Sequence, residues 1–213
     1  MRPLTIALEC LFSTGLVIAS VAIAFRLSER SLLHRIVDHL GVSRSDAIAS
    51  DDRIHAIGVL VVVGLVVTAV VFIAWFRRAY KNTAAFSAPR RYSAGWAVGG
   101  WFVPFASFFI PKKIANDIWR GADPNGRTGS DGQVPAVLNA WWASWIALGL
   151  AARFGTMGGS STSAHDALNR NLGSVVMFAA FVVASVLAAA VVRSVDRRQA
   201  ARAASLRIAD ASR

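Results

Sequence analysis

Four long apolar blocks, at positions 4–25, 56–76, 136–152 and 172–192, recur along the chain, and each holds at most one charged residue. A helix needs about 20 apolar residues to cross the hydrocarbon core of a bilayer. Inside lipid no water is available to satisfy open backbone groups, so blocks of this kind must be helical. The pattern predicts an all-α integral membrane protein, organised as a single membrane domain over residues 1–213.

A fifth apolar stretch, Ala94–Pro111, is harder to place. Its 18 residues would reach about 27 Å as one helix, but Pro104 interrupts it and Gly99-Gly100 loosens it. Positive charge decides between the two topologies, because short cytoplasmic loops collect Lys and Arg. If the stretch crosses, seven basic residues lie inside and fourteen outside; if it does not, sixteen lie inside and five outside. The expectation is therefore four transmembrane helices with both termini cytoplasmic. Residues 94–111 form a re-entrant or interfacial segment on the cytoplasmic side, and a basic tail covers 193–213. The aromatic side chains of the segment, Trp96 and Trp101 among them, suit the headgroup boundary.

Composition agrees with this picture. Hydrophobic residues make up 55% of the chain and charged residues 16%, against about 25% charged in soluble domains. The formal net charge is +11. Its arginines flank apolar blocks, which points to anionic lipid headgroups and away from nucleic acid. The single cysteine, Cys10, has no disulfide partner and is expected to be a buried, inert thiol. Ala22-Ile-Ala24 has the small-x-small form of a signal cleavage site. The apolar run before it is longer than signal peptides use, and Arg2 is the only basic residue ahead of it, so a retained helix is expected.

Between the blocks, Ser31–Leu40 has helical periodicity and is expected to lie on the outer membrane surface. His34 and His39 there are spaced i, i+5, which does not set them side by side on a helix, so no metal site is expected. Gly121–Pro135 has loop composition. Trp141, Trp142 and Trp145 read as interfacial anchors. The tail continues helically, either solvated or against anionic lipid. Gly15–Ala19 and Ala180–Ala184–Ala188 place small residues every fourth position, which suits close helix packing.

The candidate binding residues cluster on the cytoplasmic side. Trp75, Arg78 and Asn82 share one helical face, and Arg78 is positioned to cap carbonyls near Pro104 or to hold a lipid phosphate. Lys112, Lys113 and Arg120 form a phosphate-attracting rim, and Asp117 and Arg120 can pair at i, i+3. Glu9 and Asn139 are polar groups inside apolar blocks, where carboxylates are costly and amides bond between helices. The sequence holds no nucleophile elbow, HExxH or phosphate-cradling glycine loop. No enzyme activity and no cofactor is expected.

The series Trp75-x-x-Arg78-x-x-x-Asn82, Tyr92-Ser93-x-Gly95-Trp96-Ala97-Val98, Trp101-Phe102-Val103-Pro104-Phe105, Pro111 and Ile118-Trp119-Arg120 resembles the actinobacterial membrane family known as domain of unknown function 4328. The resemblance covers roughly residues 72–145. It implies a multi-pass protein of the bacterial cytoplasmic membrane and brings no activity or catalytic residue. The family tends to have Asn-Leu where this chain has Ser107-Phe108. If the amide caps the turn in relatives, the Ser107 hydroxyl must do so here.

The function expected is binding of lipid headgroups or a partner protein, with homo-oligomerisation as another possibility, through the cytoplasmic Trp/Pro/basic surface. The alternative is a small transporter or channel subunit with the re-entrant segment lining its pathway. A lipid-acting membrane enzyme is a third reading, which the placement of His34, His39 and His55 on the opposite side disfavours.

Overall fold

The computed structural model describes residues 2–37, 44–126, 133–155 and 164–212. It is all-helical among those residues. The long helices are α1 (Arg2–Val37), α2 (Arg44–Ala85), α5 (Ala136–Gly155) and α6 (Ala164–Ala211). Between α2 and α5 lie the short helix α3 (Trp96–Gly99), a 3₁₀ turn at Ala106–Phe108 and the amphipathic α4 (Ile110–Gly121).

Among the described residues, three helical stretches are long and apolar enough to cross a membrane: Arg2–Ser31, Ala56–Ala85 and Leu168–Ala211. Ala136–Ala152 is apolar but shorter. In α2 none of the most apolar window is buried within the protein; Val59, Val62, Val66 and Val70 are all exposed. A water-facing surface does not carry so large a contiguous apolar area, so this helix needs an apolar surrounding.

In α1, buried Thr5, Leu8, Phe12, Ala19 and Ala22 lie three, four or seven residues apart, with Gly15 filling the gap in one stripe. Pro3 sits in the first turn, where a missing N–H costs nothing. The helix runs unbroken to Val37, because nothing between Phe25 and Ser31 ends it. The separate surface helix expected at 31–40 is therefore a continuation of α1, as far as residue 37. His39 lies outside the described residues, as do the side chains of His34 and His55.

The chain divides into two compact units. One comprises Leu11–Val67 and Ser144–Val186. There the Gly15 position faces the Phe181 ring, 3.7 Å from where a Cβ would stand, and Ala19 and Ala184 are buried. This is the close packing expected of small residues. In the same unit Arg26 pairs with Glu29 at 2.8 Å, and Asn171 donates to Glu29 and to the Arg26 carbonyl.

The second unit comprises Met1–Cys10, Thr68–Ala143 and Leu187–Arg213. It holds nearly every candidate residue. Cys10 is exposed, not buried as expected, because it lies off the buried stripe of α1.

Candidate functional site

The second unit is built around aromatic side chains at the end of the α2 apolar run. Phe72, Trp75 and Phe76 pack on one another with centroids 5.6–6.5 Å apart. Trp101 meets Phe72 and Phe76 edge-on at 5.8 and 5.6 Å. From α5, Trp141 packs on Phe72 at 5.9 Å and Trp142 on Trp101 at 6.0 Å. Such pairs contribute roughly 0.5–1.5 kcal/mol each beyond their burial. Trp141 is thus core and not an interfacial anchor, being buried by its partners. Trp145, two-fifths exposed, keeps a position that suits an anchor.

Trp101 fixes one end of the segment expected to be re-entrant. The segment is not one helix. α3 ends at Gly99, and a Cβ on Gly100 would come within 2.7 Å of the Trp96 carbonyl oxygen. Only glycine fits that approach. Next comes a turn in which Ala106 N–H donates to the Pro104 carbonyl at 2.7 Å, with Phe105 at φ 61° and ψ −44°. This is a γ-turn of the strained kind. The Ser107 N–H, not its hydroxyl, closes the next turn on the Val103 carbonyl at 3.0 Å. The chain then enters α4, with Pro111 in the first turn and buried.

The side chains of this segment divide sharply. Trp101 and Ile110 turn inward, whereas Phe102 is 71% exposed, Phe105 81% and Phe109 63%. Trp96 and Pro104 are exposed too.

A polar frame holds the segment on both sides. Before it, the buried Tyr80 hydroxyl donates to the Tyr92 carbonyl at 2.9 Å and accepts from the Tyr92 N–H at 3.0 Å. Asp117 of α4 accepts from the Arg91 N–H and pairs with its guanidinium at 3.4 Å. Burial raises the Asp117 carboxyl above its ordinary value, and Arg91 and Arg120 partly offset this. The connector between α2 and α3 is thereby tied to α4. At the far end of α4, a Cβ on Gly121 would meet Ala88 and Thr83 at 3.0–3.1 Å, so α4 ends against the end of α2.

After the segment, Lys112 Nζ donates to Asn139 at 2.7 Å and to Asn116 at 3.0 Å. Asn139 therefore joins α5 to α4. Burial, together with the charge of Arg120, pushes the Lys112 amine down to about 8. Lys113 remains exposed.

The tail docks on the same frame. Gln199, buried, donates to the Ala79 carbonyl at 2.9 Å and accepts from Asn82 at 2.9 Å. Arg198 lies 4.6 Å over the Trp119 ring, donates to the Trp119 carbonyl and approaches Asp123 at 3.5 Å. Glu9 receives Arg193 at 2.8 Å. One face of the tail is thus packed on protein, where the sequence left solvent or lipid as the choices.

Trp75, Trp101, Asn82, Pro111, Lys112, Trp119 and Asn139 are therefore brought into one frame. Arg78 is not: it is exposed and makes no hydrogen bond among the described residues, so it caps no carbonyl near Pro104. Gln199 and Tyr80 escaped the sequence reading, and Arg91 and Arg198 entered it only as basic residues of the loop and the tail, without their partners Asp117 and Trp119. A faint signal existed for Gln199, as an uncharged polar residue set four positions after Val195 in a basic run.

Over residues 38–197 the chain matches the family model described as domain of unknown function (DUF4328). No curated protein and no solved structure matches it.

Proposed function

The chain belongs to the DUF4328 family, and on that footing we propose a non-enzymatic, multi-pass protein of the bacterial cytoplasmic membrane that binds anionic lipid headgroups. Its four spans are the apolar parts of α1, α2, α5 and α6, with both termini and the α2–α5 region cytoplasmic. The distribution of Lys and Arg supports that orientation.

The observation that carries the reading is the end of α2. A stretch with no buried residue in its most apolar window is followed, after the buried Trp75 and Phe76, by Arg77, Arg78 and Lys81, all exposed. With Lys113 exposed on α4, they lie in the unit that holds the aromatic core. Each basic group near an anionic surface contributes about 1 kcal/mol of attraction, and a guanidinium fits phosphate in bidentate fashion. Arg78, exposed and without a hydrogen bond among the described residues, suits this role better than capping.

The test is lipid retention. Protein extracted in mild detergent should carry anionic phospholipid by native mass spectrometry. Arg78→Ala and Lys113→Ala should each reduce it, and raised salt should reduce it further. Retention that is unchanged by both substitutions and by salt would overturn the reading.

A further inference from the structure

We infer that the Pro104–Phe105–Ala106 turn is a wedge that inserts Phe102, Phe105 and Phe109 among the acyl chains of the adjoining leaflet. The inference rests on the membrane reading above and deepens it, because headgroup binding alone requires no such insertion.

Three observations carry it. The first concerns backbone. From Val98 to Phe109, every N–H except that of Phe105 donates to a carbonyl within residues 95–106, and Pro104 has none to donate. Irregular backbone is excluded from hydrocarbon because its polar groups go unmet; this segment meets almost all of its own donors without water. Helix α3, the γ-turn and the 3₁₀ turn thus pair these donors between them.

The second concerns display. A left-handed φ of 61° at Phe105 is costly for an aromatic residue. It is adopted where it holds the ring 81% exposed. Water penalises that exposure, whereas an acyl layer rewards it. Phe102 and Phe109 share the exposure, and no charged residue lies between Trp96 and Pro111.

The third concerns depth and charge. Trp101 is seated on Phe72 and Phe76, the last turns of the α2 apolar run, so the base of the turn is level with the edge of that run. Lys112 and Lys113 follow immediately after Pro111. Apolar tip followed by cationic base is the order in which an element entering an anionic leaflet meets acyl chains and phosphates. That order commits the surface to lipid, because it matches the layering of a leaflet, with acyl chains inside and phosphates at the boundary.

The experiment measures depth. In a Cys10→Ser background, Phe105→Cys is labelled with an environment-sensitive fluorophore in anionic nanodiscs, and Phe109→Cys serves as a second site should Phe105→Cys fold poorly. A Val66→Cys label on the exposed face of α2 reports on the membrane reading itself. The wedge predicts blue-shifted emission at both tip sites, quenched severalfold more by nitroxides on the acyl chain than by aqueous iodide. Tip labels open to iodide, with Val66 still quenched from the acyl chains, would overturn the wedge and leave the membrane reading standing. Quenching by iodide at all three sites would sink both. Shielding of the tip from both quenchers would mean protein covers it, and would overturn the wedge as well.

Discussion

Asn82 and Gln199 lie 117 positions apart and meet side chain to side chain, Asn82 Nδ2 donating to Gln199 Oε1 at 2.9 Å. The Gln199 amide also donates to the Ala79 carbonyl. One buried side chain thus ties the tail to the end of α2. Gln199→Leu removes both bonds and should cost about 1–3 kcal/mol. Gln199→Glu should cost more, because a carboxylate would then face the Ala79 carbonyl. Thermal unfolding in detergent gives the order.

Gly99 and Gly100 are neighbours with opposite requirements. A Cβ at Gly100 would lie 2.7 Å from backbone oxygen and 3.0 Å from Ile110, whereas at Gly99 it meets nothing within 4 Å. Gly100→Ala should destabilise by about 1–3 kcal/mol. Gly99→Ala should be neutral or gain up to about 1 kcal/mol, as helical Gly→Ala changes do. Melting curves of the two single variants, side by side, settle the pair.

Lys112 predicts a pH dependence. Its amine titrates near 8 in the folded chain and near 10.5 when unperturbed. Between those values the unfolded chain holds more protons, so the contribution of this group to stability rises with pH across that window. Below about 8 the full cost of burying the ammonium is carried. With dimethylated lysines, NMR should find one resonance with a midpoint near 8 that Lys112→Arg abolishes. Asn139→Leu should move that midpoint lower, since it deletes an acceptor of the ammonium.

Phe105→Gly separates stability from display. Glycine accepts a positive φ without the steric cost, so the variant should be more stable in detergent by about 1 kcal/mol. It should also lose the apolar tip, and with it the acyl-chain quenching of a label at Phe109. A melting temperature that falls would show that the Phe105 ring supports the fold by itself.

The apolar blocks were legible because a membrane span writes its requirement locally, in about 20 consecutive side chains. The interruption at 94–111 was equally legible, since Pro104 and Gly99-Gly100 act on their own backbone. The helical course of the tail also followed from local pattern. Partnership did not. Trp141 looked like an anchor because periodicity marks an apolar face without saying whether lipid or Phe72 lies opposite. The i, i+3 spacing offered Arg120 to Asp117 but gave no sign of Arg91, 26 positions earlier, which pairs with the same carboxylate. Arg198 on Trp119 and Arg193 on Glu9 are likewise contacts that only the fold brings together.

The Tyr80 hydroxyl gives the Tyr92 peptide both the donor and the acceptor that a neighbouring strand would otherwise supply. A single phenolic oxygen is therefore the catch on the hinge leading into α3. With phenylalanine at position 80 the ring could still pack, but the Tyr92 peptide would lose both bonds, leaving the Arg91–Asp117 tie to hold the connector and the aromatic tip beyond it less firmly aimed.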